Sequence, residues 1–148
     1  MCDGRISVPD IERQIAHHGW AVTAVAGSGH DSPEFAYSTG LTAKRLPELL
    51  VYGLPVHLAS NLIDDVADHL TAGLAVSPGM TLASASGHEP DIAVIEAIDT
   101  SDMWATGALY TDFTALQLVW PDIYGSFPWE PDYSICIHQQ PLMGVGWV

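Results

Sequence analysis

The chain has 148 residues, of which 48% are hydrophobic and 15% are charged, a balance typical of one globular domain and not of a disordered segment. Only four lysines and arginines stand against 18 acidic residues, for a net charge of −14, which excludes a basic groove for the nucleic-acid backbone. No apolar stretch approaches the roughly 18 residues of a membrane span, and the N-terminus lacks the order of a signal peptide. We therefore expect a cytoplasmic protein with a single domain over residues 1–148.

The first third of the chain predicts a helix, a strand pair and a buried strand. "PDIERQIAHH", residues 9–18, opens with proline and spaces its apolar residues at helical intervals before Gly19. "WAVTAVAG" (20–27) and "EFAYSTGL" (34–41) have the composition of strands on either side of a turn, an arrangement that permits a hairpin. "PELLVYGLP" (47–55), a short apolar run between prolines, predicts a buried strand.

The clearest helix spans roughly residues 55–72 and ends at Gly73. Its apolar side is predicted from a repeat every four residues, formed by Leu58, Leu62, Val66 and Leu70. The opposite side carries His57, Asn61, Asp64 and Asp68. We expect the first set to face the core and the second set to face water.

The rest of the chain predicts three more strands and one short helix. "SPGMTLASASG" (77–87) and "DIAVIEAID" (91–99) predict strands joined around Gly87 to Pro90, and "TALQLVW" (114–120) predicts another. "TSDMWATGALY" (100–110) begins with cap-like residues and predicts the helix. Because strands and helices do not alternate regularly, we expect an α+β fold, with a mostly antiparallel sheet and two or three helices packed on one face.

The segment "LVWPDIYGSFPWEPDY", residues 118–133, is dense in aromatic rings, prolines and carboxylates. Prolines on both sides of Trp129 and Glu130 stiffen the chain, which suits either a preformed pocket wall or a plug that closes the sheet. Gln117 adds a polar side chain to an apolar strand. A buried amide needs partners, so Gln117 either ties down a loop or faces a ligand.

No nucleotide-binding, protease or metal signature is present in the sequence. His18 ends the first predicted helix, where a protonated imidazole gains from the helix dipole. If the protein is an enzyme, His18 is the candidate acid or base, because histidine changes charge near neutral pH. We expect no metal site, since His57, Asp64 and Asp68 come from a single helix and metal sites draw ligands from several elements. Cys2 and Cys136 lie near opposite ends of the chain and are expected to be free thiols.

Several segments resemble, in matching order, an uncharacterised bacterial family known as domain of unknown function 4262. They are "HGW" (18–20), "FAYSTGL" (35–41), "PELLVYGLP" (47–55), "ALQLVWPDIYGSFPWEPDY" (115–133) and "QPLMG" (140–144). The resemblance implies a single domain and carries no activity. Many members have a cysteine pair at the N-terminus, where this chain has only Cys2.

The resembling segments carry side chains that would line one cleft if their strands are neighbours. These are His18, Trp20, Tyr37, Glu48, Gln117, Asp122, Trp129 and Gln140. We expect this cleft to bind a small organic molecule, with Trp20 and Trp129 as flat surfaces and Gln117, Asp122 and Gln140 as orienting groups. The cofactor is unknown, because the similarity of "AYSTGL" to phrases in flavin reductases is too short to indicate flavin.

The alternative is an acidic interaction or inhibitory module that acts on a basic protein partner. Its carboxylates would do the binding, and salt would screen the attraction. A purely structural subunit is a third possibility. Whether the protein is an enzyme, and which oligomeric state it adopts, stay open at this stage.

Overall fold

The computed structural model describes residues 8–27, 33–83 and 91–145. Within these residues the helices are Val8–His18 (α1), Val56–Thr71 (α2) and Trp104–Leu109 (α3). The strands are Ala21–Val25 (β1), Phe35–Thr39 (β2), Glu48–Tyr52 (β3), Thr81–Leu82 (β4), Ile92–Glu96 (β5) and Ala115–Val119 (β6), and a short 3₁₀ helix, Leu41–Lys44, joins β2 to β3. Every element expected from the sequence is present, whereas the turn expected around Gly87 to Pro90 lies outside the described residues.

The strands form one sheet in the order β1-β2-β3-β6-β5-β4. All neighbours are antiparallel except β3 and β6, which run parallel. Strands β1 and β2 form the expected hairpin, with Ala21 opposite Thr39. The parallel pair requires a long crossover, and the chain between β3 and β6 supplies it with α2, β4, β5 and α3. The protein is thus a single α+β domain with a mostly antiparallel sheet.

The helices are divided between the two faces of the sheet, which differs from the expected packing on one face. Ile63 and Leu70 of α2 pack with Leu49 of β3, whereas Ile11 of α1 packs with Leu50 of β3 on the other face. Helix α3 lies on the same face as α1. The cause is the composition of β3, all five of whose residues are buried, because a strand that is apolar on both sides needs cover on both faces.

The buried side of α2 is rotated relative to the expected four-residue repeat. Its buried residues are Ala59, Ile63, Val66, Ala67 and Leu70. Leu58, at the start of the expected repeat, is 48% exposed. A step of four residues overshoots one helical turn by about 40°, so a strict four-residue repeat drifts around the helix and cannot stay on the core face.

Candidate functional site

The side chains expected to line one cleft are separated by the sheet. Trp20 packs with Leu116 on the α2 face. Gln117 follows Leu116 in β6, so its side chain leaves the opposite face. Trp129 packs against Val119 in a third cluster. Trp20 therefore does not border a common hollow with Gln117 and Trp129.

The Glu48 carboxylate is fully buried and holds the loop between β2 and β3. It accepts a hydrogen bond from the Ser38 hydroxyl at 2.7 Å and others from the backbone N–H groups of Gly40, Leu41 and Thr42 at 3.2, 3.3 and 2.9 Å. The Thr42 hydroxyl donates a fifth. With both oxygens engaged by protein donors, Glu48 anchors the loop.

The buried amides of Gln117 and Gln140 fix the C-terminal segment to the sheet. Gln117 donates to the Pro141 carbonyl at 2.8 Å and accepts from the Met143 N–H at 2.7 Å. Gln140 accepts from the Trp120 N–H at 2.9 Å and donates to the Trp120 carbonyl at 2.8 Å. Of the two alternatives for Gln117, the structure shows the one in which the amide ties down a loop.

Asp122 organises the aromatic segment from the inside. Its carboxylate accepts hydrogen bonds from the backbone N–H groups of Tyr124 and Ser126, both at 2.9 Å, and from the N–H and hydroxyl of Ser134, both at 2.8 Å. Burial opposes the charged form, but the bonds from Ser126, Ser134 and Tyr124 outweigh it and lower the pKa of Asp122 to about 2. Asp122 is therefore a charged structural anchor at neutral pH.

The aromatic members of the set also pack within the protein. Tyr37 is fully buried, its hydroxyl accepts from the Ala105 N–H at 3.0 Å, and burial raises its pKa. The Trp129 ring stacks on Phe127 at 5.2 Å between centroids. Of the two alternatives for the aromatic segment, this packing favours the plug.

His18 and Trp20 do meet, at an open cavity of about 590 Å³ between α1, the start of β1 and α2. The residues that line this α1–α2 cavity include Arg13, Gln14, His17, His18, Trp20 and Asp64. Helix α1 ends at His18, and the Gly19 N–H closes its last turn on the Ile15 carbonyl at 2.8 Å. The turn brings the His18 ring to 4.5 Å from the Trp20 ring, with 60° between the two planes.

The floor of the α1–α2 cavity is held by a hydrogen bond between Trp20, the residue before β1, and α2. The Trp20 indole N–H donates to Asp64 Oδ1 at 2.8 Å, and Trp20 is only 5% exposed. Asp64 was expected on the water-facing side of its helix. It is half-buried instead and contacts the sheet, because the turn at Gly19 carries the large indole under α2.

Most of the other residues of the cavity come from one polar side of α1. Arg13 forms an ion pair with Asp10, and Gln14 and His17 follow at helical spacing. The sequence contained this signal, because residues three or four apart share a helix face. It gave no sign that Asp64 of a distant helix completes the cavity.

The described ranges contain no group of three or more histidine, cysteine or acidic residues that could hold a metal ion. Cys136 is exposed and free, as expected, whereas Cys2 lies outside the described residues. Among the described helices, none has the length and apolar character needed to cross a membrane.

Fold and cavity together define a single α+β domain with an open polar and aromatic cavity beside its edge strand. The chain belongs to the family described as Domain of unknown function (DUF4262), whose model matches residues 14–134. This match confirms the resemblance seen in the sequence, and the matched range includes His18, Trp20 and Asp64. Neither the curated proteins nor the solved structures gave a match.

Proposed function

We propose that the protein binds a small polar organic molecule in the α1–α2 cavity. The observation that carries this proposal is the contact between His18 and Trp20, with the indole fixed by Asp64 at the floor of the cavity. A ring that is held in place loses little entropy when a ligand packs on it. The volume of about 590 Å³ falls within the range typical of ligand sites.

The polar groups around this floor match a ligand with several hydrogen-bonding atoms. Gln14 offers an amide, which both donates and accepts, and Arg13 offers a guanidinium. The His18 side chain is exposed at the cavity wall beside Trp20. His18 is therefore available to a ligand, and it is the acid or base if that ligand is a substrate.

The test is a thermal-shift screen of polar metabolites, followed by calorimetry on any compound that stabilises the protein. His18→Ala changes an exposed residue of the cavity and should weaken binding about tenfold, as expected for loss of a good polar contact. His57→Ala is the matched control, because His57 is exposed on α2 away from the cavity. Stabilisation by no compound, or equal binding by both variants, would refute the proposal.

A second candidate function is an acidic interaction module in the cytoplasm that acts on a basic protein. The observation in its favour is the turn held by Asp122, which leaves Ile123 88% exposed and Tyr124 76% exposed. Large apolar side chains on a rigid turn are typical of interface anchors. The net charge of −14 would attract a partner with a basic rim.

A pull-down from a bacterial lysate tests this second function. A basic partner should be retained at low salt, released by moderate salt, and lost with Tyr124→Ser. Ile98→Ser is the control, because Ile98 is 68% exposed outside that turn. Absence of a salt-sensitive partner, or equal capture by both variants, would exclude the interaction module.

A further inference from the structure

A second cavity, of about 410 Å³, lies against α3. The residues that line this α3 cavity include Ser101, Met103, Trp104, Gly107, Ala108 and Phe113. We propose that the α3 cavity is a separate binding site for a small organic cation, with an apolar ring and a protonated amine. It shares no lining residue with the α1–α2 cavity, so the two proposals stand or fall separately.

The apolar part of the site is built around an exposed tryptophan. Trp104 is 59% exposed, although it begins α3 beside Met103, which is buried in the core. The half-buried Phe113 lines the same cavity. An indole face left open at a cavity wall offers a stacking surface for a ring and attracts a cation through its π electrons.

Gly107 keeps this surface open. It lies inside α3, where glycine costs about 1 kcal/mol relative to alanine. A Cβ at this position would meet no atom within 4 Å, and the backbone there is not left-handed. Neither packing nor backbone conformation therefore requires glycine at position 107. A larger side chain there, three residues after Trp104, would project from the same helix face and fill the cavity.

Two carboxylates provide the charge, and they flank the lining residue Ser101 in the chain. Asp99 accepts hydrogen bonds from the N–H and hydroxyl of Ser101, at 3.0 and 2.7 Å, and Asp102 accepts one from the Tyr52 hydroxyl. Burial, the hydrogen bond to Asp102 and the charges of Asp102 and Asp99 all raise the pKa of Tyr52. Both charges therefore act on Tyr52, and Asp102 lies between the lining residues Ser101 and Met103 in the chain.

Neither Asp99 nor Asp102 forms an ion pair with lysine or arginine among the described residues. An aromatic wall beside uncompensated carboxylates favours a cationic ligand and repels an anionic one. The aromatic wall thus favours a ligand with an apolar ring, and the carboxylates favour a ligand with a positive charge.

The test compares three probes of similar shape by NMR titration of the full chain: 2-phenylethylammonium, neutral 2-phenylethanol and anionic 3-phenylpropionate. We expect the ammonium to bind about tenfold more tightly than the alcohol, and the carboxylate not to bind. The indole N–H signal of Trp104 should move with the ammonium. Equal affinities for the three probes, or an unmoved Trp104 signal, would overturn the proposal.

Two variants separate the cavity from the charge. Gly107→Leu should abolish binding of both the ammonium and the alcohol, and Trp104→Ser serves the same purpose if Gly107→Leu does not fold. Asp102→Asn retains an acceptor for the Tyr52 hydroxyl, so it should weaken only the ammonium, by about fivefold. Asp68→Asn, on the exposed side of α2, is the control for charge. Wild-type binding by the cavity variants, or equal loss in both asparagine variants, would contradict the site.

Discussion

The carboxylate of Asp122 accepts two hydrogen bonds from Ser134, which lies 12 residues further along the chain. Its other oxygen accepts from the N–H groups of Tyr124 and Ser126. One buried charge thus joins both ends of the aromatic segment and keeps its turn in shape. The dependence of stability on pH follows from this arrangement.

The pKa of Asp122 is lowered to about 2 in the folded protein, whereas an aspartate in an unfolded chain has a pKa of about 3.9. The ionised carboxylate therefore stabilises the fold above about pH 4, and this stabilisation is lost as the pH falls through about 2. Asp122→Asn should lower the free energy of unfolding at neutral pH. The difference from the unmutated protein should shrink on acidification.

Urea unfolding, followed by tryptophan fluorescence from about pH 7 to about pH 2, measures this difference. Asp68→Asn is the reference, because Asp68 is exposed on α2 and its loss should change stability little at any of these pH values. A difference for Asp122→Asn that stays constant over the range would show that the charge of Asp122 does not stabilise the fold.

The Gln140 amide forms hydrogen bonds with both the N–H and the carbonyl of Trp120. It satisfies the two backbone groups that a neighbouring strand would otherwise pair with. Gln140→Met keeps a side chain of similar size but leaves both groups without a partner. Each unsatisfied group costs about 1 to 3 kcal/mol, so we expect the free energy of unfolding to fall by about 2 to 6 kcal/mol. Chemical denaturation measures it.

The neighbouring Gln139 provides the control, since its side chain is exposed. Gln139→Met should change stability by less than about 0.5 kcal/mol. If methionine had the same effect at both positions, the pairing with Trp120 would not be the source of the stability.

The elements were predictable from the sequence, whereas the shared cleft was not. Periodicity and turn residues locate β3 and α2 correctly, because these signals are local. The cleft depended on strand order and on the face that each side chain leaves. Gln117 lies one residue after Leu116, and that single step puts it on the face opposite Trp20. No periodic pattern specifies which distant strand becomes a neighbour, whereas His18 and Trp20, two residues apart in the chain, do lie in contact.

The position of Asp64 was also not predictable from the sequence. Its position on the polar side of α2 predicted contact with water, and its hydrogen bond to Trp20 depends on where α2 crosses the sheet. A sequence pattern reports the polarity of a helix face but not the residue that comes to lie against it. Asp64 was missed as a lining residue of the α1–α2 cavity for that reason.

Glu48 should be sensitive to the loss of its charge alone. Glu48→Gln replaces one acceptor oxygen by an NH₂ group, which then faces either the donors of Ser38 and Leu41 or those of Gly40 and Thr42. We expect a loss of about 2 to 3 kcal/mol, because hydrogen bonds to a charged group are among the stronger ones. Thermal unfolding checks this value, with Glu12→Gln on the exposed side of α1 as the neutral reference.

Tyr110 gives an independent readout of the same charge. Burial and the charge of Glu48 both raise the pKa of Tyr110, so Glu48→Gln should lower that pKa relative to the unmutated protein. NMR of labelled tyrosine rings follows the titration. An unchanged pKa of Tyr110 in a folded Glu48→Gln protein would show that Glu48 does not contribute to the raised pKa of Tyr110.

Gly53 lies in the turn after β3, where the chain has a φ of +85°. A Cβ there would overlap the backbone oxygen of Gln139 and lie 2.9 Å from Cζ2 of Trp120. Gly53→Ala therefore adds a steric clash to the cost of a left-handed backbone. The first effect is about 1 to 3 kcal/mol, and the second is about 1 to 2 kcal/mol.

Gly73 separates the two effects, because it has a φ of +94° and a Cβ there would meet nothing within 4 Å. Gly73→Ala should lose only the free energy that a left-handed backbone costs an alanine. Gly53→Ala should therefore be less stable than Gly73→Ala by about 1 to 3 kcal/mol. Urea unfolding of the two variants measures the difference. Equal losses would mean that the C-terminal segment moves away from Gly53 without cost, and that the anchoring by Gln140 is weaker than its hydrogen bonds indicate.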